Sequence, residues 1–128
     1  MKKLLFICVF AVFAMAGCEM CRDMRSVGVN EFKRYIRRRN VVVIDVRTPE
    51  EHAEGHIPGT DYNFNVLDDS FESMILENIS PESNVAIYCR SGKRSKAAGA
   101  VLVTNCYHVV ELESGFNGWK EAGKPVRK

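Results

Sequence analysis

Residues 85–103, VAIYCRSGKRSKAAGAVLV, place an apolar segment, a polar loop and an alanine-rich segment in direct succession. The apolar stretch 85–88 is typical of a buried strand, and the stretch that begins at Ser95 is typical of a helix. The loop between them combines one cysteine, one glycine and three cationic side chains: Cys89, Arg90, Gly92, Lys93 and Arg94. A strand that turns into a helix through such a loop predicts a ligand site beyond the carboxyl end of the strand.

Further strands and helices alternate on both sides of this stretch. Residues 41–46, VVVIDV, form a nearly unbroken β-branched run, as in a strand covered on both faces. Residues 107–112, YHVVEL, predict a third strand, and residues 60–67 are weakly extended. Helical segments are predicted at 30–40, 48–55, 71–80, 95–104 and 115–122. This alternation predicts an α/β domain with a central, mainly parallel sheet between two layers of helices.

End signals define three of these helices. Asn30 is a candidate N-cap and Asn40 a candidate stop for the first one. Thr48-Pro49-Glu50-Glu51 combines a capping threonine, a proline at the first helical position and a glutamate three residues after the cap, so it predicts a capping box. Ser95 is a candidate N-cap for the helix after the cysteine loop.

The first residues have the composition of a signal peptide. Lys2 and Lys3 precede an uncharged apolar run that is short for a bilayer span. The run ends at Ala16-Gly17-Cys18, which resembles a bacterial lipobox, where cleavage precedes the cysteine and the thiol is lipidated. An ordinary secretory signal with an incidental cysteine is the alternative. We expect a signal peptide at 1–17, a tether at 18–28 and a domain at 29–128.

Charge and cysteine content limit the possible partners. The whole chain of 128 residues carries a formal charge of +2, and removal of residues 1–17 takes away two lysines and no acid. The mature chain is then neutral, which argues against nucleic-acid binding, since that needs a broad basic footprint. Cys18 and Cys21 form a CxxC pair with no second pair to complete a zinc site, so no metal is expected.

We expect a monomer, lipid-anchored on a bacterial cell envelope and facing the periplasm or the cell surface.

The surroundings of Cys89 favour a nucleophilic thiol. Loop amides, the N-terminus of the following helix and the cations Arg90, Lys93 and Arg94 all stabilise thiolate over thiol. A buried core cysteine that ends a strand is the alternative, but few such cysteines precede three cations and a glycine. Asp45 and Arg47 lie at the end of the neighbouring predicted strand, and we expect them to brace the site through hydrogen bonds and ion pairing.

These motifs together resemble the rhodanese family of sulfurtransferases. The segment CRSGKRS, residues 89–95, resembles its thiosulfate-type active-site loop, and Asp45-Val46-Arg47 resembles its strand-ending Asp-x-Arg. Residues 51–59, EHAEGHIPG, and 118–125, GWKEAGKP, resemble two further signatures of the family. The resemblance implies a Cys89 persulfide formed from a small anionic sulfur donor such as thiosulfate, with cyanide or a thiol as acceptor and no cofactor. It implies substrate binding by Arg90, Ser91, Gly92, Lys93, Arg94 and Ser95.

Two other functions remain open at this point. A cysteine-loop phosphatase or arsenate reductase has its arginine after five intervening residues, whereas Arg94 follows Cys89 after four. The shorter loop favours a sulfur atom over a tetrahedral phosphate. A non-catalytic persulfide carrier that hands sulfur to a partner would keep the same cysteine.

Overall fold

The structure, a computed structural model, describes residues 23–128. Five parallel strands form one sheet in the order β1-β5-β4-β2-β3. Their bounds are β1 Asp23–Val27, β2 Val41–Asp45, β3 Tyr62–Asn63, β4 Asn84–Tyr88 and β5 His108–Leu112. The prediction of a central parallel sheet flanked by helices is confirmed.

Four helices connect the strands and a fifth follows β5, and all of them except α2 have buried residues. Their bounds are α1 Val29–Tyr35, α2 Pro49–Glu54, α3 Phe71–Asn78, α4 Lys93–Thr104 and α5 Gly115–Glu121. One core cluster includes Phe32 of α1 and Trp119 of α5. The other includes Ile75 of α3 and Leu102 of α4. The result is the three-layer arrangement expected from the alternating pattern.

The strand register determines which residues share an edge of the sheet. Asp45, the last residue of β2, is the register partner of Tyr88, the last residue of β4. The segments that follow these two strands therefore leave the sheet side by side at its carboxyl edge. This places Arg47 and the capping box near the loop that begins at Cys89.

Two local predictions at the ends of helices are wrong and one is confirmed. Helix α1 begins at Val29 with Gly28 as N-cap, not at Asn30, and it ends at Tyr35 before Asn40 is reached. The capping box is present: the Glu51 N–H donates to the Thr48 hydroxyl, and the Glu51 carboxylate accepts from the Thr48 N–H.

The described part of the predicted tether belongs to the sheet. Residues 23–27 form β1, which pairs with β5 from Asp23↔His108 to Val27↔Leu112. The domain therefore begins before residue 29, and polar residues in DMRSV hid a strand that lies at the edge of the sheet. The predicted signal peptide, Cys18 and Cys21 lie outside the described residues. Within residues 23–128, no helix is both long enough and apolar enough to cross a bilayer.

Candidate active site

Cys89 follows β4 directly and is fully buried at the start of the loop. The Gly92 N–H donates to Cys89 Sγ at 3.1 Å, so the loop folds back over the sulfur. A backbone N–H pointing at the sulfur stabilises negative charge there. Of the predicted site residues 89–95, Gly92 is therefore the one whose backbone N–H contacts the thiol among the described residues.

Gly92 adopts a conformation that only glycine accepts readily. Its φ of 97° lies in the left-handed region, and a Cβ at this position would lie 2.0 Å from the carbonyl oxygen of Glu113. Glycine is therefore required both for the backbone conformation and for the close approach of the β5–α5 turn. A glycine between the strand and the helix thus permits a turn that a side chain would hinder.

The start of α5 holds the other side of the loop. The N–H groups of Phe116 and Asn117 donate to the carbonyl oxygens of Cys89 and Arg90 at 2.8 and 2.9 Å. Gly115, with a φ of 65°, would place a Cβ 2.5 Å from the Arg90 carbonyl oxygen. The N–H groups of α5 therefore hold the first two carbonyl groups of the loop, while the Gly92 N–H donates to the sulfur.

Arg94 joins the loop to α2 through a bidentate ion pair. Its guanidinium donates to both carboxylate oxygens of Glu51, at 2.7 and 2.9 Å. These hydrogen bonds hold the pKa of Glu51 down at about 2, against burial, which opposes the shift. The pKa of Arg94 is raised, first by the hydrogen bonds to Glu51 and also by the charges of Cys89 and Asp45. The capping-box glutamate thus also fixes Arg94, one of the three cations predicted to stabilise the Cys89 thiolate.

We expect the Glu51–Arg94 pair to give stability that is lost in acid. A carboxyl group with a lowered folded-state pKa stabilises the fold above its unfolded pKa of about 4.5 and loses that contribution as pH falls toward 2. Urea unfolding at pH 7 and pH 3 should therefore show a smaller pH effect in Glu51→Gln than in the wild type. Glu50→Gln, an exposed neighbour in the same turn, is the control and should keep the wild-type pH effect. Equal pH effects in all three proteins would contradict this role of the pair.

Asp45 and Arg47 form a buried ion pair at the carboxyl edge. The Arg47 guanidinium donates to both Asp45 oxygens, with the shortest distance 2.7 Å, and to the Gly55 carbonyl at 2.7 Å. The Arg47 Cζ lies 4.3 Å from the Phe116 ring centroid. His52 Nδ1 lies 2.9 Å from Asp45 Oδ2, and the His52 ring stacks on His56. Since sequence alone gave His52 no partner, this contact was missed.

Ser95 has a different position from the predicted one. The N-cap of α4 is Gly92, so the prediction that Ser95 caps this helix is wrong. The Ser95 side chain is buried, and its hydroxyl lies within hydrogen-bond distance of the Gly92 carbonyl and of the Glu111 carboxylate. The hydroxyl therefore connects the loop, at Gly92, with strand β5, at Glu111.

Glu111 is a buried site residue that sequence reasoning missed. Its carboxylate accepts from Ser26 at 2.6 Å and from Lys96 at 2.7 Å, besides Ser95. Burial opposes ionisation, but these hydrogen bonds and the Lys96 charge outweigh it and lower the pKa of Glu111. The available signal was an acidic residue inside the apolar strand YHVVEL. A buried carboxylate needs hydrogen-bond or ion-pair partners, so Glu111 could have been predicted to have them.

A cavity of about 230 Å³ opens beside the loop. Arg90 and Asn117 line it next to Arg47 and Phe116, and Lys120 adds a second cation that no acid pairs with in the described chain. Ser91 and Lys93 are exposed on the loop itself. Glu51 and Glu54 also line this cavity, and Arg90 is the residue of the loop 89–95 that reaches it. Within residues 23–128, no three His, Cys, Asp or Glu side chains are grouped as metal ligands.

The model of the rhodanese-like domain matches residues 28–122 of this chain. The chain belongs to the rhodanese-like family. A curated sulfurtransferase from Allochromatium vinosum is 35% identical over 88 residues, covering 68% of this chain and 78% of the relative. The thiosulfate sulfurtransferase GlpE of Pseudomonas entomophila is 29% identical over 100 residues, with coverages of 72% and 88%. The dual specificity phosphatase Cdc25 of Arabidopsis thaliana is 30% identical over 118 residues, with coverages of 84% and 80%.

Solved structures confirm the rhodanese-like fold. A protein from Staphylococcus saprophyticus superimposes with a TM-score of 0.68 at 29% identity, covering 82% of this chain and all of that one. A rhodanese-related protein from Thermoplasma volcanium gives a TM-score of 0.66 at 28% identity, with coverages of 80% and 97%. The family membership that the motifs implied is therefore established, and it applies to the part of the chain that carries the Cys89 loop.

Proposed function

We propose that this rhodanese-like domain is a thiosulfate-type sulfurtransferase that works through a Cys89 persulfide. The observation that carries the proposal is the buried Cys89 Sγ, which accepts the Gly92 N–H inside a loop of three cations. The sulfurtransferase names of two relatives support it. The direct test is formation of thiocyanate from thiosulfate and cyanide by the purified protein.

The proposed reaction has two displacement steps. The Cys89 thiolate attacks the outer sulfur of thiosulfate, the sulfur–sulfur bond breaks, and sulfite leaves with the bonding electron pair. The outer sulfur remains on Cys89 as a persulfide. Cyanide or an acceptor thiolate then attacks that terminal sulfur, and Cys89 departs as thiolate. No net oxidation or reduction of the enzyme occurs over the cycle.

The loop residues have two proposed roles, binding of the sulfur donor and stabilisation of the negative charge on the sulfur. Arg90 faces the cavity beside the loop and is the candidate ligand for the sulfonate oxygens of the donor. Lys93 is exposed and adds a second positive charge to the loop. Arg94, fixed by Glu51, keeps its charge close to Cys89 throughout the cycle. Asp45 and Arg47 act as a brace, since each is occupied by the other.

We expect Arg90→Gln to raise KM for thiosulfate more than it lowers kcat. A charge-assisted hydrogen bond is worth about 1.5–3 kcal/mol, which corresponds to a KM increase of about 10- to 140-fold. Steady-state kinetics with thiosulfate as the varied substrate measure this. Arg39→Gln removes the same charge outside the loop and should leave KM unchanged. An unaltered KM in Arg90→Gln would remove Arg90 from donor binding.

A phosphatase is the second candidate, and the Arabidopsis relative named Cdc25 is the observation that favours it. The loop of this chain argues against it, because Arg94 follows Cys89 after four residues and the Gly92 N–H already reaches the sulfur. Such a small loop suits one sulfur atom better than a phosphate. Hydrolysis of p-nitrophenyl phosphate without thiocyanate formation would reverse this ranking. A persulfide carrier would be indicated if Cys89 accepted sulfur without turnover with free cyanide.

We also propose that the domain is attached to the bacterial cell envelope through a lipid on Cys18. The support is the sequence of residues 1–18, where a basic start and an apolar run end at Ala16-Gly17-Cys18. More than one acyl chain gives stable anchoring. Cys18→Ala should therefore move the protein from the membrane fraction to the soluble fraction of cells. Continued membrane association of this variant would point to an uncleaved apolar segment as the anchor.

A further inference from the structure

Four exposed arginines lie within six consecutive residues, at the end of α1 and in the connection to β2. We call them the arginine face: Arg34, Arg37, Arg38 and Arg39. Five ion pairs occur among residues 23–128, and none uses an arginine of this face. Arg38 lies over the Tyr35 ring, with its Cζ 5.4 Å from the centroid. The face therefore presents guanidinium groups to solvent that no carboxylate of the described chain neutralises.

The strand register places this face near the point where the chain enters the sheet. Asp23, His108, Asn84 and Val41 are successive register partners across β1, β5, β4 and β2. All four lie in one row at the amino edge of the sheet. With strands about 4.8 Å apart, Val41 lies about 14 Å from Asp23. Arg39 is two residues before Val41, so the arginine face and the entry of the chain occupy the same edge.

Cys89 lies at the opposite edge. It follows Asn84 by five residues along β4, which at about 3.3 Å per residue puts it about 16 Å from the amino-edge row. A flat surface that contacts the arginine face would therefore leave the Cys89 loop directed away from it.

We propose that the arginine face binds the anionic headgroups of a phospholipid bilayer and so sets the orientation of the domain on the membrane. The proposal rests on the lipid attachment at Cys18 proposed above. Five residue steps separate Cys18 from Asp23, and a fully extended chain covers at most about 18 Å over them. A lipidated Cys18 would thus hold the amino edge, with its arginines, close to the bilayer, and Cys89 would face the aqueous compartment.

Charge chemistry favours phospholipid over other anionic partners. Guanidinium groups bind phosphate oxygens in a bidentate manner and are weakly hydrated, which suits contact with headgroups. Glu82 is an exposed acid just before β4 at the same edge, and its single negative charge is smaller than the positive charge of the four arginines. A nucleic acid would need a longer basic track than four residues at the end of one helix. A lipid surface needs only a local excess of positive charge.

The test is co-sedimentation with vesicles of phosphatidylcholine alone or mixed with phosphatidylglycerol. The full chain with Cys18→Ala is used first, so that no acyl chain contributes, and the measured quantity is the ratio of the two partition coefficients. We expect this ratio to be well above one. It should fall about fivefold for each arginine removed in Arg37→Gln/Arg38→Gln/Arg39→Gln. The matched control removes three cations near the carboxyl edge, Lys124→Gln/Arg127→Gln/Lys128→Gln, and should keep the ratio.

The outcomes separate this proposal from the one on which it rests. A ratio of one for the Cys18→Ala chain, or an equal loss in the control variant, would overturn lipid binding by the arginine face. The chain with Cys18 intact, isolated from cells, is then analysed by mass spectrometry for acylation. Absence of acylation together with a high ratio would reject the anchor and retain headgroup binding. Acylation together with a ratio of one would retain the lipid anchor and reject headgroup binding by the arginine face.

Discussion

Cys89→Ser should abolish thiocyanate formation from thiosulfate and cyanide while the domain remains folded. The serine hydroxyl is nearly isosteric with the thiol, so the buried position after β4 is preserved. A hydroxyl in this loop does not form the sulfur–sulfur bond on which the proposed cycle depends. Removal of a covalent nucleophile costs several orders of magnitude, and we expect a loss in kcat of at least about 10⁴-fold.

Cys106→Ser is the matched control for that experiment. Cys106 lies exposed just beyond the C-terminal end of α4, whereas Cys89 precedes the N-terminal end of the same helix. The control should therefore keep wild-type turnover, and thermal unfolding should show both variants to be folded. Wild-type activity in Cys89→Ser would mean that sulfur does not pass through this residue.

Gly92→Ala should impair both stability and turnover. An alanine at the φ of 97° costs about 1–2 kcal/mol in conformation alone. In addition, its Cβ would lie 2.0 Å from the Glu113 carbonyl oxygen, so the loop or the β5–α5 turn has to move. That movement displaces the Gly92 N–H from Cys89 Sγ. Misplacement of about 1 Å in a catalytic arrangement costs about 100-fold, which is the loss expected in kcat/KM.

Gly123→Ala is a control that has the conformational cost of a positive φ without a steric clash. Gly123 also has a positive φ, 71°, but a Cβ there has no atom within 4 Å outside its chain neighbours. This variant should lose a similar 1–2 kcal/mol of conformational free energy while keeping its turnover. Equal kcat/KM in Gly92→Ala and Gly123→Ala, both measured with thiosulfate and cyanide, would show that the loop conformation does not support catalysis.

Features that depend on neighbouring residues could be predicted from the sequence. The capping box at Thr48 and the glycine turn at Gly92 follow from rules for a few consecutive positions. The β-branched run at 41–46 specified a buried strand, and its alternation with helical segments specified the parallel sheet. Local chemistry thus located the Cys89 loop at the carboxyl edge before any contact was known.

Features that depend on distant residues could not be predicted in this way. Strand β1 has polar residues at Asp23, Arg25 and Ser26, and it becomes a strand because β5, more than eighty residues later, provides its hydrogen-bond partner. Glu111 is tolerated in the core because Ser26, Ser95 and Lys96 reach it from two other elements. Single-sequence patterns do not reveal which segments will supply such partners.

The most direct test of the central claim is the intact mass of the protein after incubation with thiosulfate and removal of the excess. The account predicts that the mass increases by one sulfur atom, that peptide mapping places this atom on Cys89, and that cyanide removes it. An unchanged mass, with Cys89 still a thiol, would contradict the proposed persulfide mechanism.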